Sequence, residues 1–185
     1  MNVKAKKNLQ ALVESAVFVG LALALSTFKI KTGGEGGSID FVMIPIIISA
    51  YRWGMLWGMG AGLVFGTLKF FLGGNAFSWE AILLDYSVAY ALVGVGGFLK
   101  RKNWMLPVVA LIGCLARYAA HVVSGAVIWG EWMPSEYLGL PMNNPWIYSI
   151  IYNALYMSWN TLIAVVVCAL IYLPLKKILL KDFAK

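Results

Sequence analysis

The sequence predicts an all-α integral membrane protein, a compact bundle of six transmembrane helices with both termini on the cytoplasmic side. Composition is the first reason. Of 185 residues, 61% are hydrophobic and 12% are charged, and the mean hydropathy is +0.79, against about 45–50% apolar and about 25% charged in soluble domains. Continuity is the second: the apolar runs do not alternate with polar residues, which argues against a β-barrel. The third is charge placement, since the basic residues sit at the chain ends and in alternate short loops. At about 20 residues per span plus loops, this length leaves no room for a soluble domain, so residues 1–185 read as a single membrane domain.

The elements follow in order. Met1–Asn8 is basic and precedes a first span at about Leu9–Phe28, too long for a signal-peptide core and therefore read as a retained helix. Lys29–Asp40 is a glycine-rich loop. The second run, Ile39–Tyr51, is short for a span and carries Pro45. Arg52-Trp53-Gly54 reads as a tight turn into a third span at about Met55–Leu72, and Gly73–Ser78 turns the chain again. A fourth span, about Glu80–Leu99, is closed by Lys100-Arg101-Lys102. The fifth runs from about Trp104 to Ile128. Trp129–Pro145 is a longer loop with three prolines and two glutamates, and the sixth span, about Trp146–Leu173, leads into a basic tail.

With six spans, Lys4, Lys6, Lys7, Arg52, the Lys100–Lys102 run, Lys176, Lys177, Lys181 and Lys185 share one face, which the positive-inside rule makes cytoplasmic. The opposite loops hold Glu35, Asp40, Glu131 and Glu136 against Lys29, Lys31 and Lys69. Five spans scatter the basic residues over both faces. The net charge of +7 is therefore an orientation signal. A nucleic-acid partner requires a clustered basic face with interleaved aromatics, and none is present. Cys114 and Cys168 lie far apart in apolar runs, without metal-ligand spacing, and read as small buried hydrophobes.

Small residues recur every fourth position at Ala16, Gly20 and Ala24 of the first helix and at Gly54, Gly58, Gly62 and Gly66 of the third. Such spacing lets helices approach closely. For the third helix, packing inside the bundle is the favoured reading. For the first, internal packing and contact with another membrane protein stand level.

The functional signal is a set of polar and aromatic residues inside spans. Asp85 lies near the outer end of the fourth helix with Tyr86 beside it, where a charge costs about 2.5–3.5 kcal/mol unless it lines a pocket or pairs. Asp is too short to snorkel far, which favours a pocket or a cationic partner. Arg117, His121 and Ser124–Gly125 share one face of the fifth helix. Arg117 is a candidate ion-pair partner for Asp85, and His121 is the sole histidine. Gly125 removes a side chain where something approaches. Trp129, Trp132, Trp146 and Tyr148 flank the outer loop, where belt anchoring is the alternative. Asn153, Tyr156 and Asn160 form a polar stripe on the sixth helix, with inter-helix hydrogen bonding the alternative.

Together these groups suit a flat, positively charged ring system: a carboxylate for charge, rings for cation–π contact, imidazole and amide for ring nitrogens. A neutral vitamin such as riboflavin or a pyridoxine-like ring, a membrane-embedded enzyme using His121 with Asp85 or Ser124, and a protein that only packs against partners remain open alternatives. The chain has no Walker, H-E-x-x-H or G-x-S-x-G motif, so no catalysis or ATP use of its own is expected.

At Leu83-Leu84-Asp85-Tyr86-Ser87-Val88-Ala89-Tyr90-Ala91-Leu92-Val93-Gly94, at Arg117-Tyr118-Ala119-Ala120-His121-Val122-Val123-Ser124-Gly125 and at Tyr148-Ser149-Ile150-Ile151-Tyr152-Asn153, the chain resembles the thiamine-specific substrate-binding (S) components of energy-coupling factor (ECF) transporters. The resemblance spans nearly the whole chain. It implies a six-helix fold in the prokaryotic cell membrane and thiamine as transported ligand, with no other cofactor. It also implies delivery through a transmembrane coupling subunit and two cytoplasmic ATPases. Carried over by residue, Asp85 matches the acid facing the thiazolium, with Tyr86 beside it. His121, Gly125 and Trp129 match the ligands of the fifth helix and the following loop, while Tyr148 and Asn153 match those around the aminopyrimidine. The small face with Ala16 and Gly20 matches the docking face for the coupling subunit. Two departures stand out. The acid position is associated with Glu, one methylene longer, and Lys31–Ser38 has no aromatic for the expected first-loop lid, leaving Trp79 or Phe41 as substitutes.

Overall fold

The computed structural model describes residues 2–31, 37–74, 76–103 and 105–181. Most of the expected first-loop lid, with Glu35, together with Trp104 and Lys185, lies outside the described residues.

Helix α1 (Val3–Leu25) starts earlier than the hydropathy alone suggests, because the Asn2 side chain accepts from the Ala5 amide at 2.8 Å. It stops short of Phe28 because the Ser26 and Thr27 hydroxyls bond the carbonyls of Leu23 and Ala24 (2.6 and 2.8 Å), competing with further helix. A minimal hairpin follows, β1 (Ile30–Lys31) against β2 (Ser38–Ile39), with Ile30 facing Ile39. Helix α2 (Met43–Trp53) is buried along all of its 11 residues. At 1.5 Å per residue it reaches only about 16 Å, which makes it the shortest of the six bundle helices. Pro45 is tolerated because it lies in the first turn, where its missing N–H has no intrahelical partner to lose.

Gly54 turns the chain at φ 99° into α3 (Met55–Phe71). A methyl added at Gly62 or Gly66 would collide with the carbonyls of Tyr90 and Tyr86, so these glycines let α3 lie directly on the backbone of the next helix. That helix, α4 (Trp79–Leu99), is not uniform. It opens on an α-turn capped by Ser78, widens to a π-helix over Ile82–Val88, returns to α over Ala89–Val93 and tightens to 3-10 over Gly94–Leu99. Helix α5 (Leu106–Val127) buries Arg117, His121 and Ser124 on one face. A 3-10 turn at Gly130–Trp132 and a second short hairpin, β3 (Glu136–Tyr137) with β4 (Leu140–Pro141), fill the outer loop.

Helix α6 (Pro145–Leu180) begins where the Asn144 side chain accepts from the Trp146 amide at 2.8 Å. It runs through Pro174, past the expected end at Leu173, and converts much of the basic tail into helix. The extension persists because Leu179 is 2% exposed and the Ile178 carbonyl accepts from Arg52 of α2. Four helices are long and apolar enough to cross a bilayer, and α3 is a shorter apolar helix beside them. Leu56, Phe71 and Leu170 face outward at 70–78% exposure, which suits lipid and not water. The ends of α2, α4 and α6 meet the middle of α1 through Glu14, Arg52, Trp53 and Arg101, gathering the basic loops at one end of the bundle.

Candidate functional site

The site lies toward the opposite end, where the π-helical turn of α4 carries Asp85. A π segment inserts one extra residue per turn and so re-aims the side chains on it. Asp85 Oδ1 is 3.0 Å from His121 Nδ1 of α5, and its Oδ2 accepts from the Trp129 indole N–H at 2.9 Å. His121 Nε2 in turn accepts from Arg117 Nε at 3.2 Å. The expected ion pair between Arg117 and Asp85 is therefore not direct: the imidazole stands between them. Arg117 also lies over the Tyr90 ring, 4.0 Å from its centroid, and the Tyr90 hydroxyl accepts from Lys69 Nζ at 2.6 Å. Lys69 reaches Asp40 at 3.2 Å, and Asp40, just past β2, donates its backbone N–H to Asn160 of α6 at 3.0 Å. A continuous polar chain thus joins the landing point of the first loop to Asp85.

Two groups of rings flank the carboxylate. On α6, Tyr148, Tyr152 and Tyr156 recur every fourth residue with centroid spacings of 5.6 and 6.3 Å. Tyr137 of β3 joins at 5.3 Å from Tyr148, and His121 lies 6.1 Å from Tyr156. On the other side, Phe77 contacts Trp129 at 4.4 Å and Trp132 at 4.5 Å. These contacts are edge-on or tilted, the arrangements that aromatic pairs prefer.

Of the sequence-predicted residues, Asp85, His121 and Trp129 come into direct contact, and Tyr148 belongs to the tyrosine column. Asn153 stands behind the imidazole. Its amide nitrogen donates to the His121 carbonyl (3.3 Å) and the Ser149 carbonyl (2.9 Å), and its oxygen accepts from the Tyr156 hydroxyl at 2.7 Å. Gly125 faces α6, where a methyl would collide with Ser149. Tyr86 points toward α3, its ring 5.4 Å from Phe70. Of the two lid substitutes, Trp79 is 71% and Phe41 43% exposed, whereas Phe77 is the ring that meets Trp129.

Sequence reasoning passed over Tyr152, Tyr137, Phe77 and the Lys69–Asp40 pair as site residues. The four-residue recurrence of Tyr148, Tyr152 and Tyr156 was a usable signal; the loop residues offered none. Among the described residues no three His, Cys, Asp or Glu side chains gather to hold a metal. Both nitrogens of His121 are engaged, so the ring has no free nitrogen to act as base for Ser124. A groove of about 370 Å³ runs along α1, α2 and α6, lined by Val13, Val17, Phe18, Ile48 and Leu175 among others, and holds none of these site residues.

This constellation occurs in a chain whose residues 12–180 match the family model described as thiamine transporter protein (Thia_YuaJ). The chain belongs to that family. A relative from Bacillus subtilis (strain 168), named thiamine transporter ThiT, is 35% identical over 195 aligned positions that cover 96% of this chain and 98% of its own. A second, of the same name, from Lacticaseibacillus paracasei, is 30% identical and covers 87% of this chain and 86% of its own. The solved structure of ThiT from Listeria monocytogenes superposes with a TM-score of 0.78 at 26% identity, covering 94% of this chain and 98% of that one. The match supports the all-α, multi-pass membrane fold. The family description and both curated names speak of transport, which places the protein among transporters and not among enzymes.

Proposed function

We propose that the protein is a high-affinity thiamine-binding S component of the cell membrane, capturing the vitamin at the outer end of the bundle for uptake driven by partner subunits. The observation that carries this reading is Asp85, a carboxylate within a span, held by His121 and Trp129 and flanked by aromatic rings. A thiazolium between those rings gains cation–π contact and charge neutralisation together, each buried cation–π contact contributing about 2 kcal/mol. Tyr148 serves the aminopyrimidine as part of the tyrosine column. Asn153 and Gly125 shape the wall behind His121, and Tyr86 holds the turn that bears Asp85 against α3.

The chain carries no nucleotide-binding motif, so accumulation requires an external energy source. We assign that role to an ECF coupling subunit with two cytoplasmic ATPases. Ala16 and Gly20 support the assignment: both face away from the bundle, and a methyl at Gly20 meets nothing within 4 Å. Their face is available to a neighbouring helix, while Ala11, Ser15, Val19 and Ala22 face the bundle.

Tryptophan fluorescence of the detergent-purified protein, titrated with thiamine, riboflavin and pyridoxine, tests the ligand. Saturable quenching by thiamine alone is the expected result, because Trp129 and Trp132 adjoin the site. In Asp85→Asn the affinity falls at least about tenfold, the size of one hydrogen bond to a charged group, while the folded state survives. Unchanged affinity removes Asp85 from the site, and a response to a neutral ring instead of thiamine removes the substrate.

A further inference from the structure

We propose that Arg117 is a positioning residue: it holds His121 as the neutral tautomer protonated on Nδ1, and so keeps Asp85 an uncompensated anion for an incoming cation. This inference rests on the binding role given to Asp85 above. Arg117 is always charged and only donates hydrogen bonds. Its Nε lies 3.2 Å from His121 Nε2 with the geometry of a donor, so that ring nitrogen is the acceptor and carries no proton. The remaining ring proton sits on Nδ1, 3.0 Å from Asp85 Oδ1, and is donated to the carboxylate.

The surroundings leave the ring no other arrangement. The ionised groups facing His121 are Asp85 and Arg117, with Lys69 next along the chain through Tyr90. His121 is 8% and Arg117 6% exposed, so water does not substitute for either partner. The guanidinium is itself fixed by the Tyr90 ring beneath it. Asp85 therefore receives two neutral N–H donors, His121 Nδ1–H and the Trp129 indole, and retains its full charge. Without Arg117, the imidazole is free to move its proton to Nε2, which withdraws the donor from Asp85. It is also free to gain a second proton, which neutralises the anion. Either change weakens the capture of a cation.

The chain has a single histidine, so imidazole ¹⁵N spectra are unambiguous. Recorded on the full-length protein in detergent without thiamine, the spectrum is expected to show a protonated Nδ1 and an unprotonated, hydrogen-bonded Nε2. Arg117→Met is expected to abolish that pattern and to lower thiamine affinity about tenfold. Arg117→Lys is expected to keep the pattern, because lysine Nζ reaches one bond beyond the position of arginine Nε. A wild-type ring protonated on Nε2 or on both nitrogens overturns the proposal without any variant. So does an Arg117→Met spectrum identical to wild type, or a changed spectrum with undiminished affinity. Because the tautomer is read without ligand, the expected spectrum in a protein that ignores thiamine overturns the thiamine reading and leaves the tautomer assignment standing.

Discussion

Two carboxylates in this bundle accept an indole N–H at the same distance, and they serve opposite ends. Glu14 of α1 takes Trp53 Nε1 at 2.9 Å, and Asp85 of α4 takes Trp129 Nε1 at 2.9 Å. The second donor separates them. Glu14 is gripped by both Arg52 Nε (2.6 Å) and Nη2 (2.9 Å), a bidentate pair with a full cation that leaves the acid neutralised. Asp85 receives an imidazole instead. The first arrangement ties α1 to α2 and, through the Ile178 carbonyl, to α6. The second, on the proposed function, leaves an anion for the incoming cation. Charge inside a membrane protein is thus structural or functional according to whether its counter-charge is already in the chain.

The largest effect that would break this division is at the basic end of the bundle. Arg52 is 3% exposed, and Arg52→Met removes the cation paired with Glu14 and one of the two donors to the Ile178 carbonyl, leaving the Lys181 N–H. Removing one partner of a fully buried pair costs about 3–5 kcal/mol, and the partial exposure of Glu14 sets the cost here below that range. The expected outcome is a marked fall in thermal stability in detergent, with thiamine affinity of the folded fraction unchanged. Lost affinity at unchanged stability would show the two ends to be coupled.

A smaller effect tests how the outer carboxylate is aimed. Gly66→Ala pushes a methyl into the carbonyl of Tyr86, within the π-helical turn that carries Asp85. Overpacking of this kind costs about 1–3 kcal/mol. Because the turn must yield, thiamine affinity falls along with thermal stability. Gly20→Ala is the control on the exposed face of α1, where nothing lies within 4 Å, and it leaves both unchanged. Equal behaviour of the two variants would deny the π turn its positioning role.

Most of the bundle was legible because hydropathy and positive charge are read by the bilayer itself, residue by residue. The misreadings came where a side-chain hydrogen bond, near or far in sequence, overrode the apolar pattern. Ser26 and Thr27 ended α1 early, and Arg52, far away in sequence, held α6 together beyond Pro174. The candidate site was legible as a set of residues and not as a set of contacts. Arg117 and Asp85 were matched as opposite charges, and spacing alone could not show that His121 stands between them. The π turn was invisible, since a single extra residue in a helix has no compositional mark. Phe77 and Tyr137 lie in loops, where no period announces a face.

The smallest expected effect is also the most direct comparison, since the same substitution can be made at both ends. Trp53→Phe and Trp129→Phe each keep an aromatic ring and delete one N–H to a carboxylate. A hydrogen bond to a charged group is worth about 1.5 kcal/mol at the low end, roughly tenfold in an equilibrium constant. At Trp53 the loss appears as stability, because Arg52 still neutralises Glu14 and the pair supports the junction of α1 with α2 and α6. At Trp129 the loss appears as thiamine affinity, because the indole positions Asp85 Oδ2 and its ring also meets Phe77 at the rim of the site. Melting curves and thiamine titrations on both variants give a two-by-two result in which the large entries are expected on one diagonal. An affinity loss at Trp53, or a purely structural loss at Trp129, would mean that the identity of the second donor does not decide what a buried carboxylate does in this bundle.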